Sequence, residues 1–520
     1  MSIADIKPAV YDKQAVELKL QNLFGNRFHK AEEHVAERVK YSRDLMPFNF
    51  ILEQKGEVRF PPDYIVWPKT EQEIVNLIAI CREHKVPLVP YAGGSGVCGG
   101  AVPVAGGVVC DLKQMDKILE INDTDLTCTV EPGINGQLFE EELNRRGYTL
   151  GHFPSSIYVS TVGGWVATRA AGVLSTYYGK IEDMVLSLRV ALGNGNVAET
   201  VLTPASATGP DFNRIFAGSE GTLGILTKIT FRIHPLPQER GFFAVKAKNV
   251  KEGIEFMRMV MRRGLRPAAV RLYDELDTLI IGSPEEKSGM DEDAGFVRET
   301  LKKLKSGEGL KATLRWAAVT NRAIDIGLSL ANVGCLLLFT FEGHPALVNT
   351  QMEMIHRLAT EMRLDIKGEK PARYWWDHRY DVSYSSPAVF KEGAFLDTCE
   401  VSTTWSKLHE LYVRVKDAVK NDVFIMAHFS HSYLCGNNIY FSIAGYADSP
   451  EESEKKYLDV WDKMMKVCLQ MGASISHHHS VGMLKQKYLV EQMGHLYPIW
   501  QKIKEACDPD GIMNPGKLGL

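Results

Sequence analysis

The chain lacks the features that would place it in most specialised classes. Its nine cysteines (81, 98, 110, 128, 335, 399, 435, 468 and 507) fall in no C-x-x-C pair. That excludes a zinc ribbon or a disulfide scaffold and reads as a reduced, intracellular protein. No apolar run approaches the length of a membrane span. The first residues, Met1-Ser2-Ile3-Ala4-Asp5, carry neither the basic nor the apolar region of a signal peptide. There is little net charge: 60 basic residues against 64 acidic ones give −4, without the basic excess of a general nucleic-acid binder. There are no internal repeats. What remains is a soluble, cytoplasmic enzyme: 520 residues at 45% hydrophobic and 24% charged suffice for two or three domains.

Glycine, by contrast, is locally dense. An apolar run, Val86 to Val89, ends at Pro90-Tyr91-Ala92 and opens into five glycines within eight residues, Gly93-Gly94-Ser95-Gly96-Val97-Cys98-Gly99-Gly100. Such a loop reaches positive φ, admits another molecule to its backbone, and can turn its amides inward around a pyrophosphate. It is not the G-x-G-x-x-G dinucleotide fingerprint, because a strand-like stretch (Val102 to Leu112) follows where a helix would open. Alone, the stretch reads equally as a surface turn. Three more glycine-bearing stretches follow. Gly151-His152-Phe153-Pro154-Ser155-Ser156 leads to Ser160-Thr161-Val162-Gly163-Gly164-Trp165 and Thr168; then come Ala171-Gly172 and Gly218-Ser219-Glu220-Gly221-Thr222-Leu223-Gly224-Ile225. Small and hydroxylated residues at each suit an extended ligand with phosphates and a flat ring.

Residues 1–57 are charged and helical in pattern, with Ala15, Leu18, Leu20 and Leu23 as the apolar face, packing on the body or on a second subunit. Tyr64-Ile65-Val66-Trp67 reads as a strand, and Thr70-x-x-Glu73 as a capping box opening a helix that buries Ile74, Leu77, Ile78 and Ile80. Strands and helices alternate to about residue 235, an α+β or α/β pattern. Residues 239–449 carry amphipathic helices (Val250 to Arg263, Val348 to Glu361, Trp405 to Lys420) between the strand-like runs Phe242 to Val245, Ala268 to Tyr273, Cys335 to Phe341 and Ile439 to Ala444. Gly282 to Lys311 reads as an exposed insertion, and 450–520 as a helical segment returning to the first domain.

Three groups carry candidate chemistry. His477-His478-His479 lies between an apolar helix and a glycine turn; imidazoles there could pass protons near neutral pH or bind an anion. His428-x-x-His431 could hold a metal, but no carboxylate follows at convincing spacing, and a hydrogen-bonding role is at least as good. Arg271, in an apolar strand, is either paired in the interior or aimed into a cavity to grip phosphate or carboxylate.

The order of these motifs over Pro61 to Pro235, with Tyr178-Gly179-Lys180-Ile181-Glu182-Asp183 among them, resembles the FAD-binding domain of the vanillyl-alcohol oxidase/p-cresol methylhydroxylase superfamily. The resemblance implies an α+β fold: an FAD-binding domain (58–238) of that type, an antiparallel-sheet cap domain (239–449) and the C-terminal helical segment (450–520). It implies FAD held by residues 90–96, Pro154, Ser155, Ser160, Thr161, Gly163, Gly164, Thr168, Gly172, Glu220, Thr222, Gly224 and Ile225. Ser95 stands where some relatives carry a linking histidine, so the flavin is expected to be non-covalent.

Gly151-His152, Ser160 to Trp165, Arg271, Glu400-Val401-Ser402, Tyr433 and His477 to His479 together resemble the alkyldihydroxyacetonephosphate synthase family. That implies flavin N5 chemistry that exchanges a fatty acid for a fatty alcohol. Tyr433 would abstract a substrate proton, His152, His477, His478 and His479 would assist, and Arg271 would hold the phosphate or acyl end. A lipid-like substrate, peripheral membrane contact and a homodimer come with it; no metal is expected. A second family arginine finds no match: Tyr384 to Ser386 align there, with Arg379 and Lys391 as substitutes. Asp508-Pro509-Asp510-Gly511-Ile512-Met513-Asn514-Pro515-Gly516-Lys517-Leu518 and Trp376-x-x-Arg379 instead resemble D-lactate and glycolate dehydrogenases. The alternative is therefore an FAD-linked oxidoreductase of an alcohol or a D-2-hydroxy acid.

Overall fold

A computed structural model describes residues 7–281, 314, 315, 321, 333–381 and 394–520. The expected insertion (Gly282 to Lys311), the aligned residues Tyr384 to Ser386 and the substitute Lys391 lie outside them.

Two small sheets carry the glycine-bearing loops. In the first, Tyr64–Val66, Val108–Asp111 and Leu88–Tyr91 run parallel, with Phe28–Lys30 antiparallel at one edge. Helix Glu71–His84 covers it, opened by Thr70 Oγ1 accepting from Glu73 N at 3.2 Å. The helix buries Ile74, Leu77, Ile78 and Cys81 rather than Ile80, because the apolar stripe continues at a spacing of three and four. Glu73 does not close the capping box: its carboxylate takes Arg27 and the Lys69 amide. Ahead of this sheet, helix Lys13–Phe24 packs through Val16, Leu20 and Phe24, while Leu18 stays exposed. The second sheet is antiparallel, in the order Ile118–Asn122, Thr127–Val130, Gly224–Arg232, Val185–Leu192, Val197–Glu199.

A larger antiparallel sheet follows, ordered Asp365–Gly368, Glu239–Ala247, Cys335–Gly343, Ala269–Tyr273, Phe424–Ser430, Gly436–Tyr446, Ala394–Thr404. Helices Val250–Arg262, Pro345–Glu361, Trp405–Val419 and Pro450–Met471 pack on it through one continuous apolar core. Three of its strands, Asp365–Gly368, Ala394–Thr404 and Phe424–Ser430, have no counterpart in the sequence-based expectation. Among the described residues, no helix is long and apolar enough to cross a membrane.

The segment from Asp508 onward is not helical. Leu88 N donates to Ile512 O (2.8 Å) and Asn514 N to Leu88 O (2.9 Å). Asn514 Nδ2 reaches Gly100 O (2.9 Å) and Glu220 O (2.7 Å), and buried Lys517 Nζ donates to Val102 O at 2.9 Å.

Candidate active site

Glycine-bearing loops far apart in sequence meet just beyond the strand Leu88–Tyr91. A Cβ at Gly93 would lie 2.4 Å from Val159 O, and one at Gly164 would lie 3.4 Å from the Ala92 methyl. Gly94 has φ +64°, and a Cβ there would strike Tyr91 Oη at 2.0 Å, so only glycine serves. The half-exposed amides of Gly93, Gly94 and Ser95, with that of Gly96, have no protein acceptor among the described residues. A row of open N–H donors against close-packed backbone fits a pyrophosphate, and the residues present therefore fit FAD.

The side-chain hydroxyls of these loops have local partners. Ser160 Oγ accepts from Trp165 Nε1 (2.8 Å), Thr161 Oγ1 from Gly164 N (3.4 Å); Thr168 Oγ1 donates to Gly164 O (2.9 Å) and Thr222 Oγ1 to Ser219 O (2.7 Å). The Glu220 carboxylate accepts the amides of Val481 and Gly482, both at 2.8 Å. Gly163, Gly172 and Gly224 sit against the backbones of Pro132, Phe153 and Ala191, and Ile225 is in the core. Pro154 is buried at the start of a turn, with Ser155 exposed on it. Tight loops satisfy their own polar atoms first, which leaves backbone amides to face a ligand.

A cavity of about 420 Å³ lies against the histidine triplet, lined among others by Thr168, Lys180, Glu182, Gly218, His477 and His478; the residues after the triplet pack on the far end of the glycine-rich loop, where Met483 N donates to Cys98 O at 3.0 Å. Tyr433 Oη lies 2.6 Å from His477 Nε2, and His477 Nδ1 lies 2.9 Å from His478 Nδ1. One set of neutral tautomers satisfies both contacts: the Tyr433 hydroxyl donates to His477 Nε2, and His477 Nδ1–H donates to His478 Nδ1. Burial, then the Lys180 ammonium, pulls His477 down to about 3. Burial likewise holds His478 well below its usual range and His479 at about 4. Burial, then Glu182 and Asp183, pushes the Tyr433 hydroxyl up. That hydroxyl is a donor into a neutral relay.

The triplet is pinned from behind by Glu400, fully buried on the strand Ala394–Thr404. Its carboxylate accepts the amides of His477, His478 (3.0 Å) and His479 (2.9 Å), the Ser476 hydroxyl (2.7 Å) and the buried Lys485 ammonium (3.1 Å). Burial alone would raise Glu400, but Lys485 and the surrounding donors outweigh it and hold it at about 2. Lys180 Nζ adds a bond to His477 O at 2.6 Å and an ion pair with Glu182 at 3.1 Å.

The histidines of His428-x-x-His431 diverge. His428 faces Asp277 (3.3 Å), whereas His431, at φ +53°, bonds Ser175 Oγ through Nδ1 at 2.5 Å. His431 packs against His477 and His478, and ligand atoms of these three lie within 4.8 Å of one another. Arg271 forms no ion pair with a carboxylate among the described residues; its guanidinium lies 5.1 Å over the Trp375 ring. After burial, its charge helps to keep His428 and His431 neutral, which places it on their side of the sheet. His152 is fully buried beside Trp165, with neither ring nitrogen partnered, and burial takes it down to about 3. Arg379 rests over Trp376 (4.1 Å) and Tyr380 (4.4 Å), its Nε unpartnered. The structure thus joins Tyr433, His477 and His478 directly and seats His479 behind them; no contact ties Arg379 to them.

Lys485, Lys180, Ser175 and the role of His431 were not assigned from the sequence. Lys180 stood in a quoted motif, and a lysine buried in Met-Leu-Lys-Gln-Lys-Tyr carries no sequence signal at all.

Residues 62–200 match the FAD binding domain, and residues 236–518 match the C-terminal domain of FAD linked oxidases. The alkyldihydroxyacetonephosphate synthase of Caenorhabditis elegans is 29% identical over 483 residues, 89% of this chain and 77% of that protein. That of Trypanosoma brucei brucei is 30% identical over 480 residues, 89% and 74%. A mitochondrial D-lactate dehydrogenase (cytochrome) of Arabidopsis thaliana is 28% identical over 467 residues, 88% and 73%. A solved alkyldihydroxyacetonephosphate synthase superposes with a TM-score of 0.75 at 24% identity, covering 100% of this chain and 88% of that one. Substrate-bound p-cresol methylhydroxylase gives 0.74 at 19%, covering 99% of both; likenesses at these identities show the fold. The chain belongs to the FAD linked oxidases, FAD-dependent enzymes that share its two matched domains.

Proposed function

We propose that the chain is an alkyldihydroxyacetonephosphate synthase-like enzyme with non-covalent FAD, exchanging acyl for alkyl on a phosphate-bearing keto substrate. The observation that carries this reading is the half-buried Tyr433–His477–His478 relay, on a segment whose next residues pack on the glycine-rich loop. Residues 93–96 would hold the pyrophosphate through their amides. Bound FAD would supply the electrophilic N5 that such an exchange needs.

The chain's own residues supply the proton chemistry. As Tyr433 Oη receives a proton from the substrate carbon, its own proton passes to His477 Nε2, and the Nδ1 proton of His477 passes to His478 Nδ1. No buried charge accumulates on Tyr433, which suits a hydroxyl that burial pushes up. Arg271 would grip the substrate phosphate through its planar fork. His152, neutral and unpartnered, would offer a further hydrogen bond, and Arg379 a second cationic contact to the substrate. The division into 58–238, 239–449 and 450–520 follows the same reading, as do a lipid-like substrate, peripheral membrane contact and a homodimer.

The alternative, an FAD-linked oxidoreductase of an alcohol or D-2-hydroxy acid, draws support from the dehydrogenase relative and from Trp376-x-x-Arg379. The relay favours the synthase, because His478 and Ser480 stand where the dehydrogenase-type motif has glutamate and glycine. Anaerobic mixing with acyl-dihydroxyacetone phosphate and, separately, with D-2-hydroxy acids separates the two. Released fatty acid without net flavin reduction is expected; flavin bleached by a hydroxy acid, with no fatty acid released, would establish the alternative.

A further inference from the structure

A second group of metal-ligating side chains lies outside the relay, where the edge strand Phe28–Lys30 passes into the helix Val35–Tyr41. Phe28 is buried in the core under helix Lys13–Phe24, so strand alternation sends His29 to the opposite face. There Glu37 Oε2 lies 2.6 Å from His29 Nδ1, and the His34 ring stacks on His29 at 4.1 Å and 14°. The edge of Trp67 fixes His29 from a third side, at 4.8 Å. Ligand atoms from all three residues fall within 4.8 Å of one another.

Apart from their contacts with one another and with Trp67, these side chains carry no hydrogen bond to the rest of the described residues. His34 occupies the N-cap of the helix and Glu37 stands three residues on, yet the His34 side chain makes no capping bond. A glutamate three residues after an N-cap can serve the helix end; here Glu37 turns to His29, as the His34 ring does. As a bare ion pair, with each side chain 30% exposed, the His29–Glu37 contact is weak, and it gives His34 nothing to do. Two imidazoles and one carboxylate are the ligand set of zinc-like ions, not of calcium or magnesium. A tetrahedral ion with bonds of about 2.0–2.1 Å needs ligand atoms about 3.4 Å apart. Rotation of the His34 ring out of its stack on His29 would supply that approach. The other histidine group, His431, His477 and His478, has nitrogens already engaged with Ser175, Tyr433 and each other.

We propose that His29, His34 and Glu37 form a site for one divalent zinc-like cation, with a fourth position open to water. The ion would fasten the strand to the helix that leads to Asp44. Asp44 Oδ2 accepts the Gly99 amide at 2.8 Å, and Leu45 N donates to Gly96 O at 2.8 Å, so the same segment braces the glycine-rich loop.

Chelator-treated full-length protein titrated with Co²⁺, then with Zn²⁺ as competitor, tests this. The wild type is expected to take up one equivalent with the strong visible absorption of a four-coordinate ion, displaced by Zn²⁺. His34→Gln and Glu37→Gln should each weaken that uptake at least about tenfold while their circular dichroism stays unchanged; His478→Gln should retain it. No four-coordinate uptake by the wild type would overturn the assignment, as would superimposable curves for wild type and both site variants. Loss of the equivalent in His478→Gln alone would move the ion to the relay and equally overturn it.

Discussion

Glu400→Gln changes two atoms' chemistry in a side chain that is fully buried, and the structure sets how much that must cost. The carboxylate accepts from three consecutive amides, one hydroxyl and one ammonium. Glutamine keeps one acceptor oxygen and turns an NH₂ toward the remaining donors, leaving Lys485 charged and buried without a counter-ion. Breaking a buried ion pair from one side costs about 3–5 kcal/mol. The depression of Glu400 from 4.5 to about 2 gives a similar figure, about 3 kcal/mol at 1.36 kcal/mol per unit. Its sign follows from the direction: with the folded-state value lowered, the stabilisation is present above about 4.5 and is lost as pH falls toward 2. Urea unfolding followed by circular dichroism and flavin fluorescence should show Glu400→Gln less stable by that amount at pH 7. Its stability should also vary less than that of the wild type between pH 4.5 and the acid limit. The double variant Glu400→Gln/Lys485→Met should be more stable than Glu400→Gln alone, since it removes the stranded charge. A single variant within about 1 kcal/mol of wild type, or a double variant with no recovery, would refute the role of the pair.

Tyr433→Phe should retain FAD and thermal stability while turnover falls about 10²–10⁴-fold; because burial pushes the hydroxyl up, any basic limb of the wild-type pH profile should lie above about 10. Arg271→Lys should raise the KM for a phosphate-bearing substrate roughly ten- to a hundredfold, the loss of charge-assisted hydrogen bonds, with flavin content unchanged; wild-type kinetics would make it a structural arginine. Gly93→Val should purify without flavin, because its side chain would overlap Val159 O; a yellow variant would show that the loop is not the cradle. The wild-type protein should release all its FAD on acid denaturation, read as colour in the supernatant; flavin left on the precipitate would reveal a tether other than at Ser95.

The cradle was legible because its signals are local. A Thr70 cap, a proline ending a strand and clustered glycines each act within a few residues, and the structure places them accordingly. The local partners of Ser160, Thr161, Thr168 and Thr222 were not legible, because a sequence shows donor types but not which atom three to five residues away takes them. Glu400 and Lys485 were beyond reach as a pair: they are 85 residues apart, and only folding strand Ala394–Thr404 against the turn after helix Pro450–Met471 makes them partners. Strand Phe424–Ser430 was missed because histidine, serine and methionine interrupt its apolar pattern, although three residues of one neighbouring strand and seven of the other pair with it. His431 looked like half of a metal pair by spacing; its left-handed backbone turns it away from His428, which no spacing rule reveals.

The contacts of Asn514 with Gly100 and Glu220 set an order of events during synthesis. Asn514 and Gly100 are 414 residues apart, which at roughly 5–20 residues per second separates their appearance by about 20–80 s. For that interval the glycine-rich loop exists without the side chain that ties it to the Glu220 loop. A flavin arriving early would meet an unfinished cradle and leave again. Cofactor capture in this fold is therefore a late step, timed by translation of a distant segment, and a ribosome stalled before residue 514 would carry a colourless nascent chain.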